Sequence, residues 1–397
     1  MKYREACGEK VSALGFGTMR LPLLEDGSID QEQVQKMTDY AMENGVNYYD
    51  TAYPYHNGLS ELSIGKALAK YPRDSFLLAD KFPGHQHMKK YDCKGIFEEQ
   101  LEKCGVDYFD FYLYHNVCEN CFKTYTNEEY GIKDFFIEQK RQGRIRHLGL
   151  STHARAENLE EVLDYFGECI EFVQIQLNYI DWDLQDAERK VEILRERNLP
   201  IIVMEPLRGG KLADLGQENN ELLKGMRPDE SIASWSFRWL QTLPEVSIVL
   251  SGMSNFEQMK DNIATFSGGD DLSDEEKNVL AGIADSMKVG VPCTACRYCT
   301  EGCPMGLDIP MLIAGYNDMK FQTAMAVPMQ MDALPAEKRP ESCIGCVACA
   351  AVCPQQIDIP AVMSEFSEML ANGPNWAELC RQREEAAERL RAEAEGK

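Results

Sequence analysis

The sequence predicts an α/β protein: a (β/α)8 barrel of the TIM type, then a small helical domain, then a C-terminal helix. Three observations carry this. The length of 397 residues suits two domains, or one large barrel with an appendage. Over residues 1–285, β-rich apolar runs alternate with amphipathic helical stretches, and eight such units in about 250 residues make a barrel. Beyond 285 the alternation stops and cysteines concentrate, eight of the fifteen in the chain falling between 293 and 353. The expected boundaries are therefore 1–285 for the barrel, 286–360 for the cysteine-rich domain and 361–397 for the helical tail.

Taken in order, residues 2–11 (KYREACGEKV) read as a short hairpin capping the barrel floor. The strand candidates are ALGFGT (13–18), VNYYD (46–50), FLLADK (76–81), FDFYLYH (109–115), IRHLGLS (145–151), FVQIQ (172–176), PIIVME (200–205) and VSIVLSG (246–252). Between them lie helical patterns such as QEQVQKMTDYAMENG, ELSIGKALAKY, EEVLDYF, DAERKVEILRERN and NFEQMKDNIATF, closed by Gly, Asn or Pro where helices stop. Chemistry in such a barrel sits at the C-terminal ends of the strands. There the sequence places Asp50, Lys81 and His115, closing the second, third and fourth strands, with Tyr55 five residues after Asp50. The tail NWAELCRQREEAAERLRAEAEGK has high helix propensity and opposite charges three and four residues apart, so it reads as a solvated, packing or dimerising helix.

Composition narrows the function classes. Lys plus Arg number 41 against 65 Asp plus Glu, a formal charge of −24 that repels phosphate backbones and anionic lipid, so neither nucleic acid nor a membrane is an expected partner. No apolar run reaches the roughly 18 residues of a spanning helix. The opening MKYREACGEKVSALGFG carries charges at 2, 4, 5, 9 and 10 and shows no secretory signal, which points to the cytoplasm. Cytosolic thiols stay reduced, so the cysteines are expected to be metal ligands or core fillers.

Cys293, Cys296, Cys299, Cys303 and Cys343, Cys346, Cys349, Cys353 each spell C-x2-C-x2-C-x3-C-P, closed by Pro304 and Pro354. Three thiolates in steps of three wrap one iron–sulfur cube, and two intact runs of four fit zinc poorly, since zinc prefers separated CxxC pairs. Two 4Fe-4S clusters are expected. Residues 288 to 360 resemble two-cluster ferredoxins, and the resemblance implies crossed ligation: Cys293, Cys296, Cys299 and Cys353 on one cluster, Cys343, Cys346, Cys349 and Cys303 on the other. Thirty-nine residues separate Cys303 from Cys343, including the helical IPMLIAGYNDMKF, and each set is followed by LDIP or IDIP. This is similar to the helical ferredoxin modules of multi-domain oxidoreductases.

The motifs GFGTMR (15–20), GVNYYDTAYPY (45–55), LGLSTH (148–153), EPLRGGKL (205–212) and SGMSNFEQMKDNI (251–263) make residues 1 to about 285 resemble the aldo/keto reductases. That resemblance implies a catalytic tetrad of Asp50, Tyr55, Lys81 and His115, and the residue chemistry agrees. Reducing a carbonyl by hydride needs a proton for the developing alkoxide, and a phenol of pKa about 10 donates it well only beside a cation. Lys81 supplies the cation, Asp50 holds the ammonium, and His115 donates to the substrate oxygen. The resemblance further implies an NADPH or NADH site. Gly17, Thr18 and Met19 would pass under the ribose and pyrophosphate, and Ser151 and Gln174 would bond the carboxamide. Met204 stands where many relatives stack a tyrosine. Gly252, Met253 and Ser254, with Gln258 and Asn262, match the adenosine-phosphate loop. Gly252 and Gln258 replace the basic residues that grip a 2′-phosphate in NADPH-specific relatives, leaving Lys260 or Arg208 as substitutes.

The expected function is therefore hydride transfer between NAD(P)H and a small carbonyl or alcohol substrate, with two clusters relaying electrons to a ferredoxin- or flavodoxin-like partner. A nicotinamide moves a hydride whereas a cluster moves one electron, and a flavin, here or on a partner, would join the two. The alternatives are an electron-transfer protein whose barrel is a docking or sensing scaffold, and a flavin-linked redox enzyme. Cys118 and Cys121 form a further CxxC just after His115, a candidate redox dithiol or ligand pair. Cys7, Cys93, Cys104, Cys169 and Cys380 read as fillers.

Overall fold

The computed structural model describes all residues except 87, 89, 120, 288, 289, 294, 322–324, 354, 374, 375, 396 and 397. Pro354, the second closing proline, thus lies outside the described residues. The chain divides into two compact units, residues 281–380 and the remainder.

In the first unit, the hairpin β1 (Tyr3–Ala6) and β2 (Glu9–Ser12) precedes β3 (Leu14–Gly17), β4 (Tyr48–Asp50), β5 (Leu77–Phe82), β6 (Phe109–Tyr114), β7 (Ile145–Thr152), β8 (Val173–Gln176), β9 (Ile201–Met204) and β10 (Val246–Ser251). The last eight pair in parallel, in sequence order, and close where β10 meets β3. Their near-continuous apolar runs follow from burial on both faces, by the barrel interior and by the helical ring. Gly149 is needed for this packing, because a Cβ there would stand 2.6 Å from the Phe172 ring and backbone oxygen.

The hairpin closes the end of the barrel opposite the site. Ala6 and Val11 join Tyr48, Phe111, Phe172 and Ile248 in one apolar cluster. Arg4 donates to the Leu243 carbonyl at 2.9 Å, and the Ser247 hydroxyl donates to the Glu5 carbonyl at 3.0 Å. Helix starts in this unit follow ordinary capping chemistry: Asp30, Asp92, Ser231 and Asn255 each accept from a backbone N–H in the first turn.

The second unit has its own core, in which Leu307, Leu312, Ile313, Tyr316, Met363 and Phe366 are buried together. It is an internal repeat. The positive-φ residues Ala295 and Arg297 of the first cysteine run recur as Gly345 and Val347 in the second. The LDIP and IDIP echoes open the helices Ile309–Phe321 and Ile359–Asn372, with Asp308 and Asp358 accepting from the N–H of Met311 and Ala361.

The expected break at 361 is corrected. Helix Ile359–Asn372 starts before it and buries Val362, Met363 and Phe366 in the second unit's core. The final helix, Trp376–Glu395, is present, and its residues from Arg381 onward group with the barrel. Among the described residues no helix is long and apolar enough to cross a membrane.

Candidate functional site

Three adjacent parallel strands deliver three of the four predicted catalytic side chains. Asp50 ends β4, Lys81 lies near the end of β5, and His115 follows β6. Lys81 Nζ is 2.5 Å from Asp50 Oδ1 and donates to the Thr51 carbonyl at 2.6 Å, with both side chains buried. Tyr55 opens the short turn Tyr55–Gly58. Its ring centroid lies 5.0 Å from Lys81 Nζ and 5.8 Å from the His115 ring, edge to face at 83°. The next two residues, His56 and Asn57, hold φ of 50° and 55°, a left-handed pair of the kind found where a structure over-determines its backbone near a site. His56 is pinned there, its Nε2 accepting from Leu21 N–H at 3.1 Å.

Electrostatics assign the protonation states. Burial pulls the Lys81 pKa down, but Asp50 and Tyr55 outweigh it and the net direction is up, so the ammonium is kept. Burial pushes Asp50 up against the pull of Lys81. Burial also raises Tyr55, with Lys81 opposing; the phenol keeps its proton, and the cation offsets only part of the desolvation. His115 is driven well below the usual imidazole range by burial, then by His85, Lys81, His153 and Arg383, which makes it a neutral ring. Its Nδ1 is buried with no hydrogen-bond partner among the described residues.

Two neighbours of the tetrad and one further strand-end residue were not singled out in the sequence. His85, in the loop after β5, has its ring centroid 4.2 Å from that of His115. Arg383, from the final helix, acts on His115 electrostatically. Glu205 follows Met204 at φ 53°, its carboxyl pushed by burial, then by Asp181, up to about 6. The strand-end rule was enough to find His85 and Glu205; nothing local marks Arg383.

The predicted cofactor residues line the same end of the barrel. Gly17 ends β3; Thr18 is buried and donates to the Asp50 carbonyl at 2.9 Å, while Met19 is exposed. Ser151 and Gln174 are register partners on β7 and β8. The Ser151 hydroxyl accepts from Asn116 N–H at 2.8 Å, and Gln174 Oε1 is buried without a hydrogen-bond partner among the described residues. Met204 ends β9, opposite Gln176. After β10, Gly252 and Ser254 are exposed, Met253 is buried, Gln258 Oε1 accepts from Ser254 N–H at 2.8 Å, and Asn262 donates to the Ser251 hydroxyl at 2.9 Å.

The two suggested 2′-phosphate substitutes fare poorly. Arg208 is buried in an ion pair with Asp181 at 2.8 Å, which takes it out of the exposed loop, and Lys260 pairs with Glu257 at 2.6 Å. Arg20 is a further cation here that the sequence reading did not single out. It is exposed, and its side chain lies 3.2 Å from where a Cβ of Gly252 would stand.

Cys118 and Cys121 occupy the loop after His115 with their Sγ atoms 3.8 Å apart. In the second unit, the cysteines gather in the crossed sets that the ferredoxin resemblance implied. One cavity is lined by Cys293, Cys296, Cys299 and Cys353, and another by Cys343, Cys346, Cys349 and Cys303. Apart from sulfur the linings are mostly apolar, including Ile313, Ile357 and Ile359 in one and Leu307, Ile309 and Met363 in the other. Among the described residues no three His, Cys, Asp or Glu side chains converge on a single-ion site. Sulfurs spread around a cavity suit the corners of a cube better than one zinc ion.

Comparison with known proteins agrees with this geometry. Residues 13–284 match the aldo/keto reductase family, and residues 292–357 match the 4Fe-4S dicluster domain. The chain is 24% identical to the NADH-specific methylglyoxal reductase of Escherichia coli (strain K12), over 70% of this chain and 96% of the relative. It is 27% identical to a probable aldo-keto reductase of Glycine max, over 54% of this chain and 61% of the relative. A thermostable aldo-keto reductase solved with the inhibitor epalrestat superposes with a TM-score of 0.59 at 25% identity, over 71% of this chain and all of the other, 100%. The holo form of a Bacillus halodurans aldo-keto reductase gives 0.57 at 25% identity, over 71% and 96%. Barrel, strand-end residues and family match thus converge: the chain belongs to the aldo/keto reductase family and carries a ferredoxin-type 4Fe-4S domain after its barrel.

Proposed function

We propose that the barrel reduces a small carbonyl compound at the expense of a nicotinamide dinucleotide, and that the second unit holds two 4Fe-4S clusters. The observation that carries the first part is the set of Asp50, Lys81, Tyr55 and His115, all but Tyr55 buried. Asp50 fixes the Lys81 ammonium, and the ammonium holds the Tyr55 hydroxyl as an acid for the oxygen that gains charge. His115, neutral, donates a hydrogen bond to that oxygen without adding a proton to the balance. The dinucleotide, when bound, supplies the hydride.

The residues present fit such a cofactor. The partnerless Gln174 Oε1 is the acceptor a carboxamide NH2 requires, and exposed Arg20 beside Gly252 is a cation for its phosphates. Arg208 and Lys260 are already committed to carboxylates, which favours NADH, and the Escherichia coli relative named for NADH and methylglyoxal supports a small aldehyde as substrate. The crossed cysteine cavities support two clusters, and the exposure of Cys296 and Cys346 would bring each cluster within reach of a ferredoxin- or flavodoxin-like partner.

Replacing Tyr55 by Phe tests the reading. Turnover should fall by roughly three powers of ten while dinucleotide affinity is unchanged, because the lost proton acts only in the transition state. Wild-type turnover in Tyr55→Phe overturns the mechanism.

A further inference from the structure

Neither the tetrad nor the clusters account for Cys118 and Cys121. Both side chains are buried, and their Sγ atoms stand 3.8 Å apart, so closing to a bond of about 2.05 Å needs only a small shift. The pair is wired into the site. Cys121 Sγ donates to the Asn116 carbonyl at 2.9 Å. Asn116 N–H donates to the Ser151 hydroxyl at 2.8 Å, and Val117 N–H donates to the Ser151 carbonyl at 2.8 Å. Asn116 itself sits at φ 51°, in the left-handed region that asparagine enters more readily than most residues. Downstream, the Tyr125 hydroxyl donates to the His115 carbonyl at 2.5 Å, and the backbone N–H groups of Cys121 and Phe122 both bond the Cys118 carbonyl.

We infer that Cys118 and Cys121 are a redox-active dithiol, oxidised by low-molecular-weight disulfides, whose closure loosens the nicotinamide site through Asn116 and Ser151. The second half rests on the proposed role of Ser151; the first does not. In the exchange one cysteine thiolate attacks the external disulfide, forming a mixed disulfide and releasing one thiol. The second cysteine thiolate then displaces the other half. The two cysteines lose two electrons and two protons; the external disulfide gains both and becomes two thiols. Closure deletes the Cys121 S–H donor, so the Asn116 carbonyl loses that bond, and Asn116 is the residue whose N–H reaches the Ser151 hydroxyl.

The full-length, cluster-loaded protein is equilibrated anaerobically in mixtures of reduced and oxidised dithiothreitol, then blocked with N-ethylmaleimide and cut after Lys103 and Lys123. The fragment 104–123 contains Cys104, Cys118 and Cys121, and should pass reversibly from three labels to one as the mixture becomes oxidising. NADH and NADPH affinity, measured on the same samples, should fall about tenfold with the same midpoint. Cys118→Ser and Cys121→Ser should each keep their affinity at every ratio, and the serine hydroxyl at 121 can still donate to Asn116. Three labels at the most oxidising ratio overturn the dithiol. A closed disulfide with unchanged affinity overturns the coupling, and failure of the reduced protein to bind either dinucleotide overturns the Ser151 assignment while the label count still decides the dithiol.

Discussion

The neutral imidazole of His115 sets how activity depends on pH. Protonating it requires a pH well below the ordinary 6.5 or so, because burial and the surrounding His85, Lys81, His153 and Arg383 all oppose a further positive charge. Reduction should therefore be level between about pH 6 and 8 and decline only on the alkaline side, as the Tyr55–Lys81 pair loses its proton. A pH profile of kcat checks this; an acid limb near 6.5 that vanishes in His115→Gln contradicts it. Arg20→Ala should raise the KM for dinucleotide about tenfold and leave kcat unchanged, since the proposed contact of this cation is with the remote phosphates and not with the reacting carbon. The placement of the four proposed catalytic residues could be read from the sequence because each sits at or just past a strand end, where barrel chemistry is built. Arg20 could not, because only the closure of β10 on β3 brings it to Gly252. Arg208 was misread for the converse reason: it too follows a strand end, and only the fold reveals Asp181 waiting for it.

At the level of elements, β5 carries two ionisable groups in succession on opposite faces, Lys81 toward the site and Asp80 toward the helices. Asp80 is buried beside Glu61 of helix Ser60–Leu68, and its carboxyl is pushed well above the usual range by burial and then by Glu61. Glu61 is also raised by burial, although Lys103 at 3.1 Å and Gln100 at 3.1 Å pull against it. A carboxyl whose folded pKa is raised keeps its proton longer in the folded state, so its contribution is lost as pH rises from about 4 toward the folded pKa. Asp80→Asn should thus gain little near pH 4 and most near pH 8, flattening the pH dependence of the denaturation midpoint; the amide oxygen can still accept from Lys81 N–H, as the carboxylate does at 2.8 Å. The same helix meets helix Cys93–Cys104 at Gly65, where a Cβ would stand 2.7 Å from the backbone oxygens of Lys103 and Cys104. Gly65→Ala should destabilise by about 1–3 kcal/mol, measurable by denaturant unfolding, because backbone on a packed helix cannot step aside as a side chain can. All eight barrel strands were legible from apolar runs bounded by turn residues, to within two residues at each end. The end of the second unit was not, because helix Ile359–Asn372 buries its face against partners such as Tyr316, placed by packing that a linear reading cannot see.

At the scale of the whole molecule, each unit has a separate core, and they should come apart separately. Among the described residues, the apolar cluster at the hairpin end of the barrel contains none of the eight motif cysteines. In the second unit Cys299 and Cys349 are themselves buried core members, and Cys293, Cys303, Cys343 and Cys353 pack against the same cluster, so whatever the eight thiolates bind is part of what holds that core. Metal binding is then folding free energy for the second unit and not for the barrel. Anaerobically loaded protein should contain about eight iron and eight sulfide per chain, the content of two cubes. Stripping the iron with a chelator should abolish one thermal transition and leave the barrel's transition and its dinucleotide affinity where they were. Calorimetry with a parallel binding titration makes the comparison. If the barrel transition falls together with the iron, the barrel depends on the clusters for its stability; if both transitions survive, the apolar core of the second unit is sufficient alone and the clusters are not its staples. Four irons in place of eight, or zinc in their place, would refute the two-cube reading of the crossed cavities directly.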